Sequence, residues 1–287
     1  MNYRDLSNQV KIPSLGFGVF QISEEGATKQ AVLDAIKSGY RLIDTAASYG
    51  NEGEVGEAIQ EAISQGIVTR EDLFITSKLW VDGVSAKKTP QAIKDSLNRL
   101  QLDYLDLLLI HQPYSDVFGA WRAMEDAYYN GLLKSIGVSN FDIAQITNLS
   151  EFSNIKPMVN QIEVSPFNQN IDAVNYLNEY GVQVEAWAPF AEGKHDLFKN
   201  KLLQKIGDKY NKSIAQVILR WLYQRDIIPL SKSVKAERME QNIDVLDFEL
   251  SKEDMKEIAT LDRKESQFFD HHNPDMIKWM ANNKVEY

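Results

Sequence analysis

The chain has 287 residues, 44% hydrophobic and 25% charged, a composition that supports a large core and argues against wholesale disorder. Its formal charge of −10, with no lysine and arginine stripe, excludes a nucleic-acid partner and means that any anion must be held by a local cluster of donors. Cysteine is absent, which removes disulfides and thiolate nucleophiles, and a zinc site would have only four histidines and carboxylates to draw on, so no metal is expected.

In chain order, KIPSLGF reads as a short N-terminal hairpin closing one mouth of the fold, GFGVFQ as a first strand and ATKQAVLDAIKSG as its helix. Apolar runs of strand length then alternate with segments of helical period: RLIDTA with EVGEAIQEAISQG, LFITSKL with TPQAIKDSLNRLQ, LDLLLIH with AWRAMEDAYYNG, and LLKSIGVSN with FDIAQITNLS. The alternation continues through PMVNQIEV and VNYLNEYG, VQVEAWAPF and the long KLLQKIGDKYNKSIAQVILRWLYQ, then IIPLSKS and AERMEQNIDVL. Gly39, Gly66, Gly131 and Gly181 stand where helices stop, while Thr89-Pro90 and Ser251 look like helix starts. Pro229 removes a ladder donor from the last strand and marks a local irregularity. The stretch after TLDRKE, including FFDHHNPDMIKWM, reads as an irregular aromatic tail that packs over a barrel mouth.

The runs LDLLLI and VQVEAWA lack polar alternation, as expected of parallel strands buried on both faces. About eight strand and helix pairs is the number that closes a barrel, and one such domain accounts for the whole chain, 1–287. An open doubly wound sheet would carry G-x-G-x-x-G after its first strand. Gly50, Gly53 and Gly56 have the wrong spacing for that, and Gly16-Phe17-Gly18 precedes a strand instead of a helix. The expected fold is an α/β protein, a (β/α)8 TIM barrel with an N-terminal hairpin and a C-terminal aromatic tail over the active-site mouth. MNYRDLSNQVKIPSLG lacks the features of a signal peptide, and no apolar run approaches the ~18 residues of a membrane span, so a cytoplasmic protein without membrane contact is expected.

In a parallel barrel, the polar residues at strand C-termini carry the chemistry. Asp44 follows RLI, Tyr49 lies just beyond it, Lys78 follows LFITS and His111 follows LDLLLI. A phenol is a weak acid at neutral pH unless a neighbouring cation favours the phenolate, and Lys78 is placed to be that cation. Asp44 is the counterion that keeps the buried ammonium charged, and His111 is positioned to donate a hydrogen bond to a substrate carbonyl. Such a set protonates a developing alkoxide but contains no nucleophile and no metal, which points to reduction by an external hydride donor.

Over nearly its whole length the chain resembles the aldo-keto reductase family, in particular its prokaryotic 2,5-diketo-D-gluconate reductase-like members. The likeness rests on GFGVFQ, RLIDTAASYGNEGEVG, ITSKLW, LDLLLIHQP, IGVSNF, NQIEVSPF, AWAPF, SKSVKAERMEQNI and FFDHHNP, which occur in the family's order. It implies that Tyr49 is the proton donor of a tetrad completed by Asp44, Lys78 and His111, and that NADPH lies extended across the barrel mouth. It further implies cofactor contacts from Gly18, Val19, Phe20 and Asp44, from Ser139, Asn140 and Gln161 to the carboxamide, and from Trp187 stacked on the nicotinamide with Ala188, Pro189 and Phe190 beside it. Lys232, Ser233 and Arg238 match the grip on the adenosine 2′-phosphate, Asn242 matches an adenine contact, and Val234 and Gln241 are further expected cofactor contacts. A strand end followed by a helix first turn carrying Arg238 suits an anion in any case. Ala188 stands where serine is common, Ser231 where proline usually precedes the lysine, and Gln241 where an acidic residue often sits. Phe20, Tyr49, Trp80, His111, Gln112, Phe268, Phe269 and His271 are the expected walls for a small-molecule carbonyl substrate. Adjacent His271 and His272 read as solvent-facing and not as metal ligands. The resemblance also implies a monomer, and it leaves open a dinucleotide-binding regulatory or sensor protein on the same barrel.

Overall fold

The computed structural model describes residues 2–22 and 24–285. Two short strands, β1 (Tyr3–Asp5) and β2 (Lys11–Pro13), form an antiparallel hairpin. Arg4 reaches Asp226 and Asn8 reaches the Lys134 carbonyl, both of which precede barrel strands, so the hairpin covers the N-terminal mouth. It therefore starts earlier than KIPSLGF. The end of that segment, beginning at Gly16, enters the barrel instead.

Eight parallel strands close the barrel: β3 (Gly16–Gly18), β4 (Leu42–Asp44), β5 (Phe74–Leu79), β6 (Leu107–Ile110), β7 (Ile136–Ser139), β8 (Val159–Glu163), β9 (Gln183–Trp187) and β10 (Ile227–Ser231). Helices α1 (Ala27–Lys37), α2 (Glu52–Ser64), α3 (Thr89–Leu100), α4 (Val117–Tyr129), α5 (Ile143–Glu151) and α6 (Ile171–Tyr180) follow β3 to β8 in turn. Gly16-Phe17-Gly18 is itself the first barrel strand, so it belongs to the sheet instead of preceding it. Its α-carbon is hemmed in: a Cβ on Gly16 would run into the side chains of Leu230 and Leu42, its register partners on β10 and β4.

The long segment after β9 is two helices, α7 (Lys201–Tyr210) and α8 (Ile214–Gln224). Asn211 takes a left-handed φ of 60° that ends α7, and Ser213 with Gln216 forms a capping box that starts α8. Helical period continues across the break, which is why the sequence reads as one run. After β10 come α9 (Ala236–Ile243), α10 (Lys252–Ala259), capped by Ser251, and α11 (Pro274–Asn282). The tail is thus partly helical, contrary to the irregular reading: Asn273 caps α11 and Pro274 opens it. Pro229 marks a handover, since β10 pairs with β9 up to Pro229 and with β3 from Leu230.

Replacing Gly16 by alanine forces a methyl against Leu230 and Leu42 and is expected to cost about 1–3 kcal/mol. Denaturant unfolding should show this as a lower midpoint with an unchanged slope.

Candidate active site

The centre of the site is an amine with no access to water. Lys78, near the C-terminal end of β5, is fully buried, and its ammonium donates to Asp44 Oδ1 at 2.6 Å, the Thr45 carbonyl at 2.9 Å and Tyr49 Oη at 3.3 Å. Three hydrogens meet three acceptors. Burial works against the charge, but Asp44 and the phenol oxygen outweigh it and hold the amine above its ordinary range.

Tyr49 ends a single 3-10 turn, Ala47–Tyr49, that follows β4 and is closed by Gly50 at φ 70°. Asn51 pins this turn, donating to the Val19 carbonyl at 3.1 Å and accepting from Thr45 Oγ1 at 3.0 Å. Burial pushes the phenol up, Lys78 offsets only part of the rise, and Asp44 adds to it. The net direction is therefore opposite to the expectation that Lys78 brings the phenol down. The phenol keeps its proton at neutral pH, as a donor must.

His111 stands edge-on to Tyr49, with ring centroids 5.7 Å apart, and to Trp80 at 5.3 Å. Burial, the charge of Lys78 and the nearby His271 push the imidazole well below its ordinary range, so it is neutral. Ser48 Oγ lies 3.3 Å from its Nδ1. Nε2 makes no hydrogen bond to any described residue, which leaves it available to a substrate carbonyl. These four side chains, expected from strand ends alone, do converge.

The residues expected around a nicotinamide form a closed network with a specific opening. Ser139 Oγ donates to the Gln161 carbonyl, Asn140 Nδ2 donates to the His111 carbonyl and to Ser139 Oγ, and Trp187 Nε1 donates to Asn140 Oδ1 at 2.8 Å. Gln161 Nε2 donates to Asp44 Oδ2 and Glu185 Oε2, each at 2.9 Å. What remains is acceptor capacity, Gln161 Oε1 and a lone pair on Asn140 Oδ1, which suits the NH2 of a carboxamide. Beside it a Cβ on Gly18 would meet nothing within 4 Å, so the backbone there is open to a flat ligand. Trp187 is half-buried, Ala188 holds a left-handed φ of 46°, Pro189 is buried and Phe190 half-buried.

Not every expected contact is open. Val19 is fully buried, its N–H on the Asp44 carbonyl and its own carbonyl on Asn51, so it has nothing to present to a ligand. At the far end Lys232 and Arg238 are exposed and make no ion pair with a described residue, with Arg238 in the first turn of α9. Val234 and Gln241 are exposed beside them. Ser233 turns its hydroxyl to the Lys235 carbonyl, and Asn242 is buried, so both present little to a ligand. Ser231, unexpected at its position, shares a hydrogen bond with the buried Tyr40 hydroxyl at 3.1 Å.

The tail brings its aromatic residues to this mouth. Trp80 Nε1 donates to the Asn283 carbonyl at 2.6 Å, and Met280 is buried against Trp80 and Val81. Glu163, at the end of β8, accepts from Ser266 Oγ and the Gln267 N–H. Phe268 lies 5.2 Å from Trp187, Phe269 4.6 Å from His271, and Phe20 4.8 Å from Tyr49. Gln112 is buried with Oε1 unpartnered. His272 is the exposed histidine of the pair, and it bonds Asp142. A groove of about 1120 Å³ lies between the tail and the loops at Asn140 and Glu163, and none of the four tetrad side chains lines it.

Sequence reasoning passed over Ser48, Asn51 and Glu185. Only Glu185 carried a visible signal, a lone carboxylate in the apolar run VQVEAWA. Ser48 and Asn51 act through turn geometry that residue type does not reveal.

Residues 14–263 match the model of the aldo/keto reductase family. The chain is 46% identical to the uncharacterized oxidoreductase YtbE of Bacillus subtilis, over 89% of this chain and 91% of that one. It is 45% identical to the glyoxal reductase of the same organism, over 91% and 92%. Among solved structures, the Bombyx mori aldo-keto reductase AKR2E4 in complex with NADP superimposes with a TM-score of 0.90 at 37% identity, covering 96% of each chain.

Burial, the charge of Lys78 and the nearby His271 hold His111 well below its ordinary range, and burial with His272 brings His271 down to about 4. With both depressed in the folded state, the unfolded chain takes up protons first as pH falls, so stability present above about 6.5 is lost on acidification. Unfolding midpoints should fall between about pH 6.5 and 4, and His271→Asn should flatten that slope.

Proposed function

The chain belongs to the aldo/keto reductase family, and from that premise we propose how its residues divide the reaction. It is an NADPH-dependent oxidoreductase that reduces aldehydes and ketones to alcohols. The observation that carries the assignment of roles is the continuous contact from Asp44 through Lys78, 2.6 Å away, to Tyr49 at 3.3 Å.

Tyr49 delivers the proton to the carbonyl oxygen, with its hydroxyl held by Lys78 and its proton kept at neutral pH by burial, which Lys78 offsets only in part. His111, neutral and with Nε2 free, donates to the same oxygen and orients it. Gln161 Oε1 and Asn140 Oδ1 would accept hydrogen bonds from the carboxamide NH2 of the cofactor, Gly18 and Trp187 would flank its ring, and Lys232 and Arg238 would meet its 2′-phosphate. Bound there, NADPH supplies the hydride for the carbonyl carbon. Phe20, Trp80 and the tail aromatics exclude water from the carbonyl.

Small dicarbonyl aldehydes of the kind named for the glyoxal reductase relative are the substrate class we put first. We further infer one domain over 1–287, a monomer in the cytoplasm, and no nucleic-acid or membrane partner. The formal charge of −10 argues against a nucleic-acid partner, and among the described residues no helix is long and apolar enough to cross a membrane. A sensor with little turnover has no observation in its favour.

Tyr49→Phe should lower turnover with simple aldehydes by roughly 10²–10⁴-fold while NADPH binding, read by fluorescence, stays intact. Undiminished turnover would refute the donor role. Arg238→Ala should weaken NADPH by about tenfold and leave NADH nearly unchanged, and equal losses would count against the 2′-phosphate contact.

A further inference from the structure

Glu185 sits in the middle of β9, fully buried, register partner of Gln161 on β8. Gln161 Nε2 gives one hydrogen to Glu185 Oε2 and the other to Asp44 Oδ2, each at 2.9 Å. A single amide therefore ties this carboxyl to the counterion of Lys78. Glu185 Oε1 has no partner among the described residues. The ionised groups it faces are Asp44 and Lys78. Its neighbour β10, IIPLS, brings no ionisable side chain, and on β8 the carboxylate of Glu163 is turned away to Ser266 and Gln267.

We propose that Glu185 is a positioning residue of this site, acting through Gln161 on Asp44 and so on the contact between Lys78 and Tyr49. The inference rests on the reading of Tyr49 as proton donor and deepens it. Two carboxylates that share one amide and face one buried ammonium cannot both ionise readily. Burial first, then the charge of Asp44, push the Glu185 carboxyl up to about 8, with Gln161 and Lys78 offsetting only part. At neutral pH Glu185 is a neutral acid, and Gln161 holds Asp44 without competition from a second anion. When Glu185 gives its proton to solvent, the amide gains a stronger acceptor on that side and its hold on Asp44 loosens. The added negative charge also makes the ammonium and the phenol both harder to deprotonate. Reduction then slows through about pH 8 although Tyr49 still carries its proton.

Two measurements test this. Infrared difference spectra between the Tyr49→Phe protein and the same protein carrying Glu185→Gln read the carboxyl without any turnover. A protonated-acid band at about pH 6 that disappears through about pH 8 is expected, and its absence at the lower pH overturns the proposal. In the second, kcat/KM of the wild type should fall roughly fivefold across the same window, and Glu185→Gln should lack that limb. Glu185→Asp, which keeps an ionisable group, should retain a limb at a shifted pH and serves if the glutamine variant does not fold. A merely structural residue would lower activity equally at every pH, and an unchanged limb in Glu185→Gln beside an active wild type overturns this inference alone. No turnover in the wild type would instead overturn the donor reading and this inference with it.

Discussion

A fully buried ammonium is the constraint around which this barrel is arranged. Lys78 must find a counteranion and an acceptor for each hydrogen, because an unpaired buried charge is strongly destabilising. Asp44, the Thr45 carbonyl and Tyr49 meet that demand, and they all come from β4 and the turn after it. The pairing of β4 with β5 brings the two strand ends together, Asp44 opposite Thr76 and Lys78 one alternation further. The phenol is thereby placed as part of satisfying the amine, so the proposed acid of the reaction and the stability of the barrel rest on the same hydrogen bonds.

From that pair the electrostatics spread outward in opposite senses. Burial and then the cation hold His111 neutral, and burial, against the same cation, keeps the proton on Tyr49. Burial and then Asp44 push Glu185 toward its neutral acid form. Burial first, then this charge and its partner, set the protonation states of three further groups, and all three are suited to donating hydrogen near neutral pH. Gln161 connects the two sides, with its amide hydrogens on the carboxyls and its oxygen left facing the mouth.

The mouth is roofed by a segment with few anchors. Glu163 receives Ser266 and Gln267, Lys194 donates to the Gln267 carbonyl at 2.6 Å and lies 3.8 Å over the Phe268 ring, and Trp80 receives the far end at Asn283. Between these points the aromatic rings contact one another and the strand-end residues more than the barrel core. Polar latches hold its middle too, where Tyr114 Oη donates to the His271 carbonyl and His272 bonds Asp142.

Much of this was legible in the sequence. Apolar runs, helical period and glycine stops identify a closed parallel barrel, because those signals are local, and polar residues at strand ends are visible wherever a run stops. Asp44, Tyr49, Lys78 and His111 were therefore found by position alone. Tertiary structure decided what depends on neighbours distant in the chain. The net direction of the Tyr49 shift is set by how deeply the barrel buries it, the closure of Val19 and Asn242 by packing, and the role of Ser48 by the fold of one turn. The break between α7 and α8 and the helix in the tail were hidden because period does not report where a chain reverses. Glu185 stood in plain view as a charge in an apolar strand, but only the register of β8 with β9, and the reach of Gln161 across to β4, joined it to the proton-transfer site. Residue types and their periods specify which groups are buried at which strand end; the sum of charges and hydrogen bonds among them exists only once the barrel has closed.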